Sequence, residues 1–491
     1  MLYTSTRGFN EQISSCMAVL RGIAPDNGLY MPAAFPGKQD MEALMSLSFK
    51  GMAAKLFTMF LDDFPDMEGI VSRAYDGRFD TEEVTPLRKA GDTYYLELFH
   101  GPTYAFKDVA LSALPQLLVS AKQALSEGKE TVILTATSGD TGKAAMAGFR
   151  DVPGTRICVF YPEGGVSPIQ QLQMTTQEGA NVRACAVRGN FDDAQTAVKR
   201  VFDRIVKEGV PEGLPVTFSS ANSINIGRLV PQITYYVKAY ADLLASGAVR
   251  YGDPVDYTVP TGNFGDILAG YFAKMLGLPV GRLVCASNDN RVLTAFFETG
   301  VYDRNRPFYR TISPSMDILV SSNLERMLYL ASGGDTGFTA SCMRRLFGEG
   351  VYTVPAGIRE KLAETFSAGY ADEAEVRATI GRVFREDGYL VDPHTAVAAA
   401  VSGRFRRREG GKEVPNVVLS TASPFKFPQA VLEALGESVP ETEFQMMGKL
   451  SGLSGLPVPE NLAALPFKEV RFGDCVGKDG LYDYVMEKVC R

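Results

Sequence analysis

Two histidines in a chain of 491 residues leave little from which to build a histidine-rich metal site. The seven cysteines are odd in number and widely scattered, with no C-x-x-C pair. That pattern suits reduced thiols in a cytosolic enzyme better than a disulfide framework or a zinc site, so no metal is expected. No apolar run approaches the length of a bilayer span; Ala396–Val401 is one of the short runs present. Residues 1–21 lack the basic segment, apolar core and small-residue cleavage site of a secretory signal, which leads us to expect a cytoplasmic protein. Basic blocks and arginine-rich tracts are missing as well, and 50 Lys and Arg against 57 Asp and Glu give a net charge of −7. Nucleic acid and membrane are therefore not expected partners. An anionic substrate must be drawn in by local positive groups, because the field of the whole chain opposes it.

What is present is an alternation of strand-like apolar runs with amphipathic stretches, free of repeats and low-complexity tracts. Hydrophobic residues make up 45% of the chain, enough core for two or three domains. Thr131–Thr137, Arg156–Tyr161, Tyr257–Pro260 and Asn416–Thr421 read as strands, and Lys143–Phe149 and Ile267–Leu276 as helices. This is an α/β pattern with mostly parallel sheets. Each of these strands is followed by small and hydroxyl residues, and ligands bind at the carboxyl ends of such strands.

Five segments carry the chemistry. Gly101-Pro102-Thr103-Tyr104-Ala105-Phe106-Lys107-Asp108 places a lysine after a Gly-Pro turn and before an apolar helical run. Such a lysine loses hydration, which favours the neutral amine and a role as nucleophile or Schiff-base partner; alone it also reads as a surface lysine at a helix start. Thr261-Gly262-Asn263-Phe264-Gly265-Asp266 joins a strand to a helix and lets backbone N–H groups approach an anion; an ordinary turn is the alternative. Asp266 should point away from that anion and cap its own helix. Ser138-Gly139-Asp140-Thr141-Gly142-Lys143 resembles a nucleotide-binding P-loop superficially, but Thr137 replaces the first glycine and Ala144 the magnesium-binding hydroxyl. Ser219–Arg228 is dense in neutral donors and closes with an arginine whose planar fork suits phosphate. The strand end Ser420-Thr421-Ala422-Ser423 offers a hydroxyl that can bond a heterocyclic nitrogen without adding charge.

Together, HGPTYAFKD, TSGDTG, SSANSINIGR, PTGNFGD, SPSMDI, DPHTA and STASPFKF resemble the threonine synthase family, pyridoxal phosphate enzymes of the tryptophan-synthase-β (fold type II) group, in its larger bacterial and fungal branch. The resemblance implies two open, twisted, mostly parallel sheets flanked by helices. It implies an amino-terminal accessory region over 1–95 and a small α/β domain over 111–222. A large cofactor-binding domain would take 96–110 and 223–491, with a helical segment near 330–390. Lys107 matches the lysine that holds the cofactor as a Schiff base. Gly262, Asn263, Phe264 and Gly265 match the loop for the cofactor phosphate, and Thr421 the hydroxyl at the pyridine nitrogen. Ser138, Thr141, Asn222 and Arg228 match positions that hold the amino-acid substrate and its phosphate. The implied reaction takes O-phospho-L-homoserine and water to L-threonine and phosphate, the last step of threonine biosynthesis. A monomer is implied, with a homodimer as the alternative. Relatives across the fold group often have Asn where Asp140 stands, bonded to the cofactor's phenolic oxygen; an ionised Asp140 would repel that oxygen, so its role is open. His394 reads as structural at a helix start, and His100 and Lys143 have no assigned role. Two rivals stand beside this reading: a phospho-lyase of the same fold, and a P-loop-like nucleotide-binding protein.

Overall fold

The computed structural model of the protein describes residues 1–137, 139–189, 191–408 and 414–490. Two sheets organise it. The first has six strands in the order Phe366–Tyr370, Val280–Ser287, Val255–Pro260, Asn416–Ser420, Thr93–Glu97, Leu87–Ala90, parallel throughout except for the last pair. The second is parallel throughout, in the order Cys475–Gly477, Val182–Arg188, Thr155–Pro162, Glu130–Ala136, Val216–Ser219.

The two-residue period of a strand explains how the layers pack. Tyr257, Val259, Leu283, Cys285, Val417 and Leu419 face a central core, while Val284, Ala286 and Val418 face helices on the outer side. In the second sheet Ile133, Ile157, Val159 and Ala184 join the same central core, and Val132, Leu134, Cys158, Phe160 and Cys185 turn outward. Between the inner faces run the helices Lys107–Ala124 and Asp140–Phe149. Pro115 inside the first helix lacks the N–H that would bond the Leu111 carbonyl. Gly148 of the second helix fills that place; a Cβ there would lie 2.0 Å from Leu111 O, so only glycine permits the crossing.

The amino-terminal region is built into this core. Its three-stranded antiparallel sheet (Leu2–Ser5, Ile13–Ser14, Tyr30–Pro32) leads into Ser15–Arg21, which packs on the Lys107 helix together with Met67–Tyr75. Tyr75 donates to Val109 O at 3.0 Å, and Asn225 Nδ2 donates to Val19 O at 2.9 Å.

The sheets divide the chain differently from the expected boundaries in two places. Leu87–Ala90, assigned to the accessory region, is the antiparallel edge of the six-stranded sheet. Cys475–Gly477 and the helical turns after it, assigned to the large domain, pair with Val182–Arg188 and cover the outer face of the five-stranded sheet. Residues 330–390 hold several helices together with the edge strand Phe366–Tyr370. Among the described residues no helix is long and apolar enough to cross a membrane.

Candidate active site

Both sheets have a point where neighbouring strands continue in opposite directions, and loops leaving such strands diverge to open a crevice. In the six-stranded sheet it lies between Val255–Pro260 and Asn416–Ser420, which lead into Gly262–Gly265 and Thr421. In the five-stranded sheet it lies between Glu130–Ala136 and Val216–Ser219, which lead into residues 137–142 and 219–228. Four of the five segments singled out in the sequence, all but that of Lys107, therefore leave the two switch points.

Lys107 is the first residue of its helix, and the loop before it is pinned in place. Asp108 accepts from Thr103 N–H at 2.8 Å and Thr103 Oγ1 at 2.6 Å, and Tyr104 takes a left-handed conformation with φ +58°. Phe106 N–H donates to Thr421 O at 2.9 Å and Ser423 N–H to Tyr104 O at 3.1 Å, so the strand end carrying Thr421 lies against the lysine's loop. Lys107 Nζ donates to Ser315 Oγ at 3.3 Å. Burial brings its ammonium down to about 8; Lys426 and Arg228 add to the fall, and Asp140 opposes it. Lys107 thus has the lowered basicity that its sequence setting implied.

Asp140 opens the helix that enters this crevice and is buried. Its Oδ1 lies 2.6 Å from Lys426 Nζ, its Oδ2 accepts from Ser315 Oγ at 3.3 Å, and Gln170 Nε2 reaches Oδ1 at 3.4 Å. Burial alone would raise this carboxyl; Lys426 and then Lys107 hold it well below the usual carboxylate range. Asp140 is ionised and paired.

Gly262, Asn263 and Gly265 show how a phosphate would be held. Ser321 Oγ donates to Gly262 O at 2.7 Å, and Asn323 donates to Asn263 O from its backbone at 3.0 Å and its side chain at 3.1 Å. The loop's carbonyls are thereby turned outward. The N–H groups of residues 262–265 have no acceptor among the described residues, and the helix Gly265–Leu276 has no side-chain cap. A Cβ on Gly262 would meet Ser315 O at 3.0 Å, so the loop packs directly against the segment that positions Lys107. This row of free donors at a helix start fits a phosphate and adds about 0.3–1 kcal/mol of favourable field, more when buried.

Asp266 points away from that row, as expected, but it does not cap the helix. Its Oδ1 accepts from Tyr235 Oη at 2.6 Å and Tyr236 Oη at 3.0 Å, and burial pushes it up to about 7. A cap would have consumed N–H groups that the loop keeps free. Between about pH 4 and 7 the folded protein holds a proton here that the unfolded chain has lost, so stability falls as pH rises through that window. Asp266→Asn should remove the slope, gaining about 2–4 kcal/mol on the parent between pH 4 and pH 8. Urea titrations across that range check it; parallel curves for the two proteins would refute the assignment.

The expected substrate residues have mixed settings. Ser138 lies outside the described residues. Thr141 is half-buried in the first turn of the Asp140 helix. Asn222 is exposed, its carbonyl accepting from Asn225 N–H at 3.3 Å, while Asn225 is buried and caps the next helix through Gly227 N–H. Arg228 is 3% exposed, donates from Nη1 to Ala221 O at 2.7 Å, and has no hydrogen-bond partner at Nε. No carboxylate of a described residue pairs with it, and burial lowers its guanidinium to about 10.

Several members of the site were not assigned from the sequence. Ser315 links Lys107 to Asp140, and His394 fixes Ser315: Ser315 N–H donates to His394 Nε2 at 3.1 Å. Because a backbone N–H can only donate, the ring proton is on Nδ1, which bonds Asp392 Oδ2 at 2.5 Å. Ser315 lay in SPSMDI and Lys426 in STASPFKF, so the segments carried the signal though not the roles. His100 bridges Asp80 and Glu97, whose hydrogen bonds outweigh burial and push it up to about 9. Lys143 bonds Gln177 Oε1, away from Ser315.

Residues 2–75 match the threonine synthase N terminus family, 79–359 the pyridoxal-phosphate dependent enzyme family and 395–474 the threonine synthase C-terminal family. The chain is 38% identical over 456 residues to threonine synthase-like 1 of Pongo abelii, covering 90% of this chain and 60% of that protein's length. It is 38% identical over 466 residues to the threonine synthase of Eremothecium gossypii, covering 88% of this chain and 89% of that one. Its fold superposes on the crystal structure of PLP-bound threonine synthase from Brucella melitensis with a TM-score of 0.87 and 38% identity, covering 100% and 99% of the two chains.

Proposed function

The chain belongs to the threonine synthase family of pyridoxal-phosphate-dependent enzymes, and on that premise we propose that it converts O-phospho-L-homoserine and water into L-threonine and inorganic phosphate. One observation carries this reading: the crevice offers two separate anion sites. The free N–H row of Gly262, Asn263, Phe264 and Gly265 suits the cofactor's phosphate. Arg228, buried without a carboxylate partner, suits a second one, which the substrate brings. Asn222 and Thr141 would complete the substrate's cradle. The reaction suits the cytoplasm, where seven unpaired cysteines stay reduced.

Bound pyridoxal phosphate supplies an electron sink for charge developing on the substrate's carbons. The protein supplies position and proton transfer. Lys107 Nζ, with basicity reduced to about 8, takes the proton from Cα and then one from Cβ of the substrate. Ser315, oriented by His394, keeps Nζ in place between those transfers. Thr421, whose hydroxyl bonds no other described residue, would face the ring nitrogen as a neutral partner that leaves it unprotonated. Phosphate departs from Cγ toward Arg228; Lys107 gives up each proton it has taken, so that one ends on Cγ and one on Cα, and water adds its hydroxyl at Cβ while its other proton goes to the departed phosphate.

Product analysis tests the proposal. Purified holoenzyme given O-phospho-L-homoserine should release threonine and phosphate in equal amounts. Release of 2-oxobutyrate and ammonia in place of threonine would instead assign a phospho-lyase.

A further inference from the structure

Lys426 takes no part in the reaction as described, yet it is a charged group buried at the centre of the site. It is 2% exposed and lies 2.6 Å from Asp140 Oδ1. The ammonium is ion-paired with Asp140, and its other donors have no acceptor among the described residues. A buried ion pair is weak grounds for stability, and one with unused donors is costly unless another acceptor arrives.

Chemistry says which acceptor. The run Lys107 Nζ, Ser315 Oγ, Asp140, Lys426 Nζ is continuous, with contacts of 3.3, 3.3 and 2.6 Å. Pyridoxal phosphate bonds a lysine through an aldehyde carbon, and its phenolic oxygen stands on the adjacent ring carbon. That oxygen therefore comes within hydrogen-bond reach of Nζ, in the neighbourhood of Asp140. Asp140 alone, held ionised, would oppose a phenolate there. We propose that Lys426 is a cofactor-contacting residue whose ammonium provides the counter-charge for the phenolic oxygen, and that Asp140 is the carboxylate that positions it. The inference rests on the assignment of Lys107 as the cofactor lysine. The other titratable groups within electrostatic reach of this pair are Lys107, Asp108, Lys143 and the imidazole of His394.

The test reads the cofactor itself in substrate-free holoenzyme. A cation beside the oxygen favours its ionised form, so Lys426→Met should move absorbance from the visible band to the near-ultraviolet band of the neutral phenol. It should also raise the pH midpoint for loss of the linkage proton by about one to three pH units, the usual effect of removing an opposite charge at this range. Asp140→Asn, which leaves the cation unopposed, should shift both readouts the other way. Lys426→Arg keeps the charge and should stay within about half a unit of the parent, inside the error expected of such comparisons. A packing role would not give shifts of opposite sign.

Shifts of the same sign in Lys426→Met and Asp140→Asn, or none in either, would overturn the proposal. Should Lys426→Met fail to accumulate with cofactor, the other two variants decide it. A downward shift for Asp140→Asn with an unchanged Lys426→Arg supports it, and any other pair of results rejects it. Borohydride reduction and peptide mapping are run alongside. Cofactor fixed to a lysine other than Lys107 rejects the underlying assignment; cofactor on Lys107 with insensitive spectra rejects only the role of Lys426.

Discussion

Lys107→Ala should bind pyridoxal phosphate without a linkage that borohydride can reduce, and its turnover should collapse. Proton transfer by a positioned side chain contributes roughly 10²–10⁴-fold by itself, so a loss of several orders of magnitude is expected if the proposed covalent role of Lys107 holds as well. The neighbouring structure explains why no other group should substitute. Ser315 holds Nζ at 3.3 Å, whereas Lys143 reaches away to Gln177. Mapping of the reduced, cofactor-labelled peptide, with rates of threonine formation, checks this. Label on Lys143, or turnover within tenfold of the parent, would remove Lys107 from its role.

The second large effect concerns Arg228. Arg228→Met keeps most of the side chain's volume while deleting the charge that the substrate's phosphate would meet. Losing a charge-assisted contact of about 1.5–3 kcal/mol should weaken use of O-phospho-L-homoserine by roughly tenfold to a few hundredfold, chiefly in KM. Cofactor affinity should barely change, because the N–H row of residues 262–265 lies on a different loop. Steady-state kinetics paired with cofactor titration separates the two sites. If the variant lost cofactor while retaining normal kinetics at saturation, the division between them would be wrong.

Much of this site was legible as segments and little of it as contacts. Apolar runs such as Thr131–Thr137 announced a strand because both faces are buried, and the structure shows Glu130–Ala136. The Gly262–Gly265 loop announced itself because few other residue choices leave backbone donors free at a helix start. Ser315, His394 and Lys426 gave no comparable sign. Their roles exist only through partners far away in the chain, as when Ser315 meets Asp140 or His394 meets Ser315. Asp266 misled by local rule: an acidic residue at a helix start usually caps, but here two tyrosines of the preceding helix claim it. The strand Cys475–Gly477 was invisible because three residues carry no period.

The pairing of Tyr94–Glu97 with Val417–Ser420 has a consequence for how the protein is made. Translation delivers Glu130–Ala136, Thr155–Pro162, Val182–Arg188 and Val216–Ser219 in succession, so these four strands of the five-stranded sheet find one another as recently synthesised neighbours, and only the edge strand Cys475–Gly477 joins them late. The strand that precedes the Lys107 loop must wait for nearly the whole chain before its inner edge is covered. Long waits of this kind slow assembly and leave apolar edges open to association with other nascent chains. A truncated product ending before residue 416 would thus carry Lys107 without the neighbour that holds its loop. The last strand of the six-stranded sheet to leave the ribosome is also the one that makes the Lys107 loop whole.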